Sequence, residues 1–243
     1  TVTVQVPKTA GHEDAAFYPQ SLERGRRFLK RVNNLCKKKH KVNHDLDFVM
    51  PKGFAKSRTL SCDEEAKVIA ALTEKANLPD HEAYAKALDL FIFLIDTGVR
   101  LGEAVQVEWP DIDLKQGIID NYNTKTRKQV LVPISDRLTR VMKRLHNQPR
   151  PFMSMDRAIK MLRRAIRAQC PSSARMRDEK GEATIHSCRD TYATRRLQDG
   201  LSLGEVSQLL GHASITQTQK YAKYEAVNTV EKAKLALNQA AER

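Results

Sequence analysis

Closely spaced cysteine pairs are absent from this sequence of 243 residues, and their absence excludes two kinds of site. The four cysteines, Cys36, Cys62, Cys170 and Cys188, are scattered along the chain, and no two stand in C-x-x-C spacing. Structural zinc sites and disulfide-stabilised small domains both depend on such pairs. We therefore expect no metal site and no disulfide framework, and we expect a reducing compartment, the cytoplasm.

Long apolar runs are also missing. The longest, LDLFIFLI at Leu88–Ile95, is interrupted by Asp89 and is much shorter than the roughly 18 residues of a membrane-spanning helix. No membrane segment is therefore predicted. The chain also opens without a signal-peptide pattern. It begins at Thr1 rather than at a methionine, which leads us to expect a fragment or a processed product.

The charge balance, by contrast, is strongly one-sided. The 42 lysines and arginines outnumber the 29 acidic residues and give a formal net charge of +13 and a pI near 9.7. This balance favours a polyanionic partner, with nucleic acid as the first candidate and a membrane surface as the second. The sequence lacks P-loops, H-E-x-x-H pairs, paired zinc-finger ligands and RNP aromatics. No cofactor is therefore predicted, and no common nucleic-acid-binding motif identifies the partner.

The spacing of apolar residues changes twice along the chain. A helical pattern, with a buried central helix over Glu82–Asp96, gives way to the strand-like runs DIDL, GIIDNYN and QVLVPI. Helical patterns then return at about 135–146, 154–169, 187–199, 202–210 and 215–241. The sequence therefore predicts a mixed α+β fold, mainly α-helical, with a small three-stranded antiparallel sheet.

Serine residues mark the predicted helix starts. Capping boxes are present in SCDE, SLGE and SITQ, which begin at Ser61, Ser202 and Ser214. Ser154 and Ser187 are further predicted N-caps.

A histidine and a tyrosine near the C-terminal end cannot face one target from a single straight helix. His212 and Tyr221 are nine positions apart, which at about 100° per residue puts them on opposite sides. Gly211 is typical of a helix C-terminus and Ser214 opens a capping box, so we expect one helix to end and another to begin there. His212 then lies in the joint and can face the same cleft as Tyr221.

Two other segments carry groups that suit a phosphate. In TIHSCRDTYATRRL, His186 and Arg189 are three positions apart at a predicted helix start. In TGVRLGE, Gly98 breaks the central helix and Arg100 begins the next one. A permanent cation beside a group that exchanges protons near neutral pH suits a phosphate. Taken alone, the pair of His186 and Arg189 is more typical of surface chemistry, and Arg100 is better explained by an ion pair with Glu103.

Together these segments resemble the tyrosine recombinases, the phage integrase family, over about Ser61–Glu225. TGVRLGE resembles the family's first arginine box, and HSCRDTYATR resembles its H-x-x-R box. LLGHASITQTQKY resembles the closing L-G-H box, in which the nucleophilic tyrosine follows nine residues after the histidine. NTKTRK, on a predicted hairpin, resembles the segment with the catalytic lysine. One such box is weak evidence, but four in this order are highly specific.

The resemblance implies a site-specific recombinase or integrase that cleaves DNA without a metal or ATP. Arg100 and Arg189 would clamp the non-bridging oxygens of the scissile phosphate. His186 and His212 would donate hydrogen bonds to that phosphate and assist proton transfer.

The resemblance also implies the nucleophile and the general acid. Tyr221 would attack and form a 3′-phosphotyrosyl link, and Lys125 would protonate the leaving 5′ oxygen, with Lys128 as the competing lysine. Glu103 matches a supporting acidic position. Asp190 stands where many members carry a histidine, and we expect little consequence from this difference.

One predicted helix, DRAIKMLRRAIRAQC, carries basic residues opposite an apolar stripe of Ile159, Leu162 and Ile166. A solvated face and a surface that follows DNA phosphates explain them equally well. We assign these residues, with Lys128, to DNA binding: Arg157, Lys160, Arg163, Arg164 and Arg167.

The resemblance implies double-stranded DNA with specific core sites as the partner, a homotetramer joined through a C-terminal helix, and accessory DNA-bending proteins. Residues 1–55 are predicted to form an N-terminal arm, helix and linker, too short for a whole core-binding domain, and residues 56–243 a catalytic domain with a C-terminal helix. Two alternatives stay open: a type IB topoisomerase, which relaxes DNA alone, and a non-catalytic DNA-binding relative.

Overall fold

The computed structural model describes residues 34–35, 38–39, 58–78, 81–123, 128–173, 181–222 and 224. The chain divides into two compact units, Thr1–Ala55 and Lys56–Arg243, and every element below belongs to the second. The predicted N-terminal arm, the tip of the hairpin at 124–127 and the C-terminal helix after residue 224 lie outside the described residues.

The described part of the second unit forms seven α-helices, three strands and three 3₁₀ turns. The helices are α1 Cys62–Ala76, α2 Glu82–Thr97, α3 Leu101–Ala104, α4 Asp136–Leu145, α5 Asp156–Gln169, α6 His186–Gln198 and α7 Leu203–Leu209. The strands are β1 Ile112–Asp113, β2 Ile118–Asn123 and β3 Lys128–Pro133, and the 3₁₀ turns are Trp109–Asp111, Ile215–Gln217 and Gln219–Tyr221. No helix within this described part is long and apolar enough to cross a membrane.

The three strands form one antiparallel sheet in the order β1-β2-β3. Ile119 lies opposite Val132, and both side chains are fully buried, so one face of the sheet joins the core. At the far end of the hairpin Asn123 pairs with Lys128. The predicted fold class, mainly helical with a small three-stranded antiparallel sheet, is confirmed.

Helix α2 is the centre of the fold, as its continuous apolar sequence predicts. It packs against α1, α4, α5 and α6. Phe91, Phe93 and Leu90 on this helix are completely shielded from solvent. Burying one such side chain stabilises the fold by about 1.5–3 kcal/mol, so α2 is a rigid base for the segment that follows it.

Helix α6 connects this core to a second, smaller cluster. Its first turns contribute Cys188 to the main core, and later turns contribute Tyr192 and Leu197 to the second cluster. Leu210 and Tyr221 complete that cluster from the C-terminal segment. Tyr221 is only 1% exposed, so its ring is anchored as a core residue.

Two predicted N-caps are wrong. Ser154 has a φ of +51° and precedes the cap position, which Met155 occupies before α5. Ser187 lies inside α6, which starts one residue earlier, and its hydroxyl accepts the N–H of Thr184 at 3.0 Å. A serine hydroxyl can satisfy amides just before a helix as well as at its cap, so its presence does not fix the first residue. The capping boxes at Ser61 and Ser202 are confirmed.

The predicted break after α7 is confirmed, but the continuous helix expected from residue 215 is wrong in its first turns. Helix α7 ends at Leu209, and Gly211 adopts a left-handed φ of +59°. Two short 3₁₀ turns follow and meet at Thr218, where the Tyr221 N–H donates to the Thr218 carbonyl at 2.9 Å. The hydroxyl of Ser214 accepts the N–H of Thr216, so the SITQ box does not start an α-helix.

Candidate active site

Arg189 joins the C-terminal ends of two helices. Its guanidinium donates one hydrogen bond of 2.7 Å to the carbonyl of Gly98, the residue that caps α2, and one of 2.6 Å to the carbonyl of Leu210, which caps α7. Carbonyl groups at a helix C-terminus have no partner within the helix and carry partial negative charge, so a cation suits both ends. The side chain is 3% exposed, and this bridge fixes it in place.

This bridge brings two segments that are distant in sequence to one place. Arg100 follows two residues after Gly98, and His212 follows two residues after Leu210. Both side chains lie close enough to Arg189 for their charges to influence one another. The structure thus brings Arg100, Arg189 and His212 close together, and their roles in the site stay predictions.

Arg100 precedes the short helix α3 and is held by Glu103. The Glu103 carboxylate accepts the backbone N–H of Arg100 at 2.9 Å and its guanidinium at 2.7 Å. The Arg100 side chain remains 29% exposed, whereas that of Glu103 is 11% exposed. Glu103 thus fixes the position of Arg100, while the exposed part of the Arg100 guanidinium is open to a ligand.

A cavity of about 430 Å³ opens beside these residues. Four arginines and a histidine line it: Arg100, Arg163, Arg167, Arg189 and His186. Such a concentration of fixed positive charge around a space of this size suits a phosphate group and its neighbours. Burial, together with the nearby Arg100 charge, lowers the pKa of Arg189 to about 10, and an anion in the cavity would relieve this strain on the cation.

Both histidines of the site are held in the neutral form. Burial and the charges of Arg189 and Arg100 lower the pKa of His212 to about 4. Desolvation lowers the pKa of His186, and the charge of Asp190 acts in the opposite direction. A neutral imidazole can donate one hydrogen bond and accept another, which permits proton transfer at neutral pH.

Tyr221 does not line the cavity. Its hydroxyl donates a hydrogen bond to the Asp190 carboxylate on α6, and the Lys220 ammonium donates another to the same oxygen at 2.7 Å. Burial and the charge of Asp190 raise the pKa of Tyr221, while the charge of Arg189 acts in the opposite direction. The Asp190 difference, from which we expected little consequence, therefore changes the surroundings of the tyrosine.

The contacts of two residues of this site were not predicted from the sequence. Thr218 is fully buried, and its hydroxyl lies 2.7 Å from Nδ1 of His212. Asp190 is 4% exposed and contacts Tyr221. The sequence did contain a signal for Asp190. A carboxylate directly after Arg189, in so basic a segment, is expected to have a partner, because buried carboxylates are paired. Nothing in the sequence distinguishes Thr218 from the neighbouring Thr216.

The predicted lysines are the part of the site that the structure leaves open. Lys125 lies outside the described residues. Lys128 begins β3, and its side chain lies outside the described part as well. The choice between them as general acid stays a prediction.

The predicted DNA-binding helix α5 has the expected two faces. Its buried residues are Ala158, Leu162 and Ile166, and Ile159 is partly buried. All five predicted basic residues are exposed: Arg157, Lys160, Arg163, Arg164 and Arg167. Of these, only Arg163 and Arg167 reach the cavity.

Comparison with known proteins decides the family. The model of the phage integrase family matches residues 59–226, well over half of the chain. The chain belongs to the phage integrase family. The matched segment includes every residue of the site described above.

Curated relatives support this membership. Tyrosine recombinase XerD of Staphylococcus saprophyticus is 29% identical over 168 residues, which cover 65% of this chain and 56% of the relative. Tyrosine recombinase XerC of Thermodesulfovibrio yellowstonii is 26% identical over 186 residues, which cover 71% of this chain and 60% of the relative. The chain thus spans little more than half the length of these two relatives.

A solved structure has the same fold. A lambda integrase tetramer bound to a Holliday junction superposes with a TM-score of 0.65 at 20% identity, over 84% of this chain and 59% of that chain. At this identity the similarity concerns the fold alone.

Proposed function

We propose that this member of the family is a site-specific DNA recombinase or integrase that cleaves and rejoins strands through a 3′-phosphotyrosine intermediate, for integration and excision of a phage or mobile element. The observation that carries the proposal is the cavity where Arg100, Arg189 and His186 meet. Two bonds of the buried Arg189 go to carbonyl oxygens, which carry no net charge. The phosphate of a DNA strand would supply the negative charge that this cation lacks.

In this reaction the Tyr221 oxygen forms a bond to phosphorus while the bond from phosphorus to the 5′ oxygen breaks. The tyrosine proton leaves to one of the two neutral imidazoles, and the leaving oxygen takes a proton from Lys125. Arg100 and Arg189 stabilise the charge that gathers on the non-bridging oxygens. Because the tyrosyl ester retains the phosphodiester energy, a second 5′ hydroxyl can reverse the attack without ATP.

The histidines suit their proposed role because of their protonation state. With a pKa near 4, His212 is neutral at pH 7 and can take a proton as the phosphate enters. The lowered pKa of His186 has the same consequence. A proton acceptor of this kind typically contributes about 10²–10⁴-fold to the rate.

We propose that the exposed basic face of α5 binds the DNA backbone beside the scissile phosphate. Arg163 and Arg167 lie nearest, because they share the cavity with Arg100 and Arg189. Each phosphate contact releases counterions, which makes the affinity dependent on salt.

The proposal extends to assembly and location. The lambda integrase of similar fold is described as a tetramer on a Holliday junction. By analogy this chain would assemble as a homotetramer on double-stranded DNA through its C-terminal helix, with accessory DNA-bending proteins, in the cytoplasm. A type IB topoisomerase or a non-catalytic relative would lack strand exchange, and no observation favours either one.

The decisive experiment is recovery of a covalent protein–DNA adduct. The protein is incubated with a pool of nicked duplexes of randomised sequence, and complexes that survive denaturation in detergent are isolated and sequenced. We expect a tyrosine-linked adduct in the presence of EDTA, and its DNA sequences identify the core site.

Two tyrosine variants are the matched controls. We expect Tyr221→Phe to abolish the adduct and Tyr224→Phe to retain it, because the resemblance to the family supports Tyr221 as the nucleophile. An adduct retained by Tyr221→Phe and lost in Tyr224→Phe would reassign the nucleophile. Adduct formation without any strand exchange between duplexes would favour the topoisomerase, and the absence of an adduct from the whole pool would favour the non-catalytic relative.

A further inference from the structure

The hydroxyl of Tyr221 donates a hydrogen bond to the carboxylate of Asp190, a group that has no part in the reaction proposed above. Oδ1 of Asp190 accepts hydrogen bonds from the Tyr221 hydroxyl and from the Lys220 ammonium. Asp190 is 4% exposed and Tyr221 is 1% exposed, so water does not compete with the hydrogen bond between these two residues. Arg100 and Arg189 line the neighbouring cavity, and Tyr221 does not. The hydroxyl of the proposed nucleophile is therefore bonded to α6 and does not line the space for the phosphate.

The charges around this hydroxyl favour its neutral form. The groups that face it are Asp190 and Arg189 on α6 and Lys220 beside it in the chain, whose ammonium lies 4.6 Å from the centre of the tyrosine ring. Burial and the Asp190 carboxylate outweigh the arginine and raise the pKa of Tyr221. Loss of the proton would place a phenolate next to a carboxylate in a buried site, which is costly.

We infer that Asp190 is a positioning residue, with Lys220 as its counterion, that holds Tyr221 protonated and buried until DNA binding breaks their hydrogen bond. This inference rests on the proposed function, which makes Tyr221 the nucleophile. It assigns a role to the carboxylate that directly follows Arg189 in the sequence.

A role as proton acceptor is less consistent with the contacts. The Asp190 oxygen that faces Tyr221 already forms an ion pair with Lys220. A proton transferred to that oxygen would neutralise the carboxylate and leave the partly buried Lys220 ammonium without its partner, in a region that already holds Arg189 and Arg100. Such an uncompensated charge is unfavourable.

The first test measures ionisation of Tyr221 in the free protein. The absorbance titration of the Tyr221→Phe variant is subtracted from that of wild type, so that only Tyr221 contributes. We expect Tyr221 to ionise with a midpoint clearly above the ordinary value near 10. The same subtraction is made for Asp190→Asn, with the double variant Asp190→Asn and Tyr221→Phe as its reference. We expect Tyr221 in Asp190→Asn to ionise at least about one pH unit lower than in wild type.

The control for this titration is Asp199→Asn, which removes the same charge at the other end of α6, where Asp199 pairs with Arg196. It should leave the Tyr221 titration unchanged. An ordinary Tyr221 midpoint in wild type would overturn the inference, and so would an Asp190→Asn titration identical to that of wild type. If Asp190→Asn does not fold, Asp190→Ser, compared with Asp190→Ser carrying Tyr221→Phe, takes its place in the titration with the same expected result.

The second test measures the rate of adduct formation at saturating protein, with the duplex recovered from the randomised pool as the probe. We expect Asp190→Asn to form the adduct faster than wild type, by up to about tenfold, since one restraining hydrogen bond is weakened. A slower rate at unchanged DNA affinity would show that the carboxylate accepts the tyrosine proton and would overturn the inference. If no variant forms an adduct, the proposed function fails, whereas the titration still decides whether Asp190 restrains Tyr221.

Discussion

Arg189 donates a hydrogen bond of 2.7 Å to the carbonyl of Gly98, a residue 91 positions earlier in the chain. Gly98 reaches this position with a left-handed φ of +66°. A Cβ atom added there would lie 2.5 Å from the ring of Tyr192, which belongs to the same helix as Arg189. The arginine that faces the cavity thus depends on a glycine at the end of the central helix.

Substitution of this glycine should destabilise the protein. We expect Gly98→Ala to lower the free energy of unfolding by about 1–3 kcal/mol, because the left-handed backbone and the contact with Tyr192 both oppose a side chain. Urea denaturation measures the change. The control is Gly102→Ala in α3, where a Cβ has no neighbour within 4 Å. This variant should be neutral or more stable by up to about 1 kcal/mol, and equal losses in the two variants would contradict the role of Gly98.

The buried hydroxyl of Thr218 should matter for the rate of DNA cleavage. Thr218→Val keeps the shape of the side chain but removes the hydrogen bond with Nδ1 of His212. We expect adduct formation to slow about tenfold, because the imidazole loses the partner that fixes its orientation. Thr218→Ser restores the hydroxyl and should recover most of the rate. A valine variant as fast as wild type would show that Thr218 only fills space.

The lowered pKa of His212 predicts a specific dependence of stability on pH. The unfolded chain takes up a proton on this imidazole near pH 6.5, whereas the folded chain does so only near pH 4. The unfolded state therefore binds more protons between these values, and stability falls as the pH is lowered through this window. We expect wild type to lose about 1–2 kcal/mol more than His212→Gln between about pH 6.5 and about pH 4.5. Parallel pH profiles of the two proteins would contradict this expectation.

The arginines of α5 should contribute unequally to DNA binding. Arg163 and Arg167 line the cavity, whereas Arg164 on the same helix does not. We expect each of Arg163→Ala and Arg167→Ala to reduce the slope of the logarithm of affinity against the logarithm of salt concentration by about 1. Arg164→Ala should change it less. Fluorescence anisotropy with the selected duplex at several salt concentrations measures the slopes, and an equal effect of all three would extend the contact surface over the whole face.

Much of the fold was predictable because local patterns set it. The strand-like runs that become β2 and β3 and the predominantly apolar second half of α2 reflect where each element is buried. The helix starts that were predicted wrongly depend on serine and threonine side chains, which can form hydrogen bonds with several different partners. Ser187 satisfies an amide from inside α6, and Thr218 contacts His212 at the joint between two 3₁₀ turns.

The sequence by itself determined the family and the identity of the proposed catalytic groups. Few residue types can bind a phosphate and exchange protons with it, so the arginine, histidine and tyrosine boxes can be recognised by composition. Their order along the chain can be read without any knowledge of contacts. It also determined that Gly211 would separate His212 from the helix before it.

Only the tertiary structure decided how these groups are oriented. Arg189 is fixed by carbonyls at the ends of α2 and α7, and Tyr221 is turned to Asp190 by packing in the second core cluster. The physical reason is that a hydrogen bond depends on distance and direction in space, and residues 21 to 91 positions apart have no fixed geometry until the core between them is packed. The spacing of the boxes predicts Tyr221 as the nucleophile. The packing decides that its hydroxyl donates a hydrogen bond to the Asp190 carboxylate.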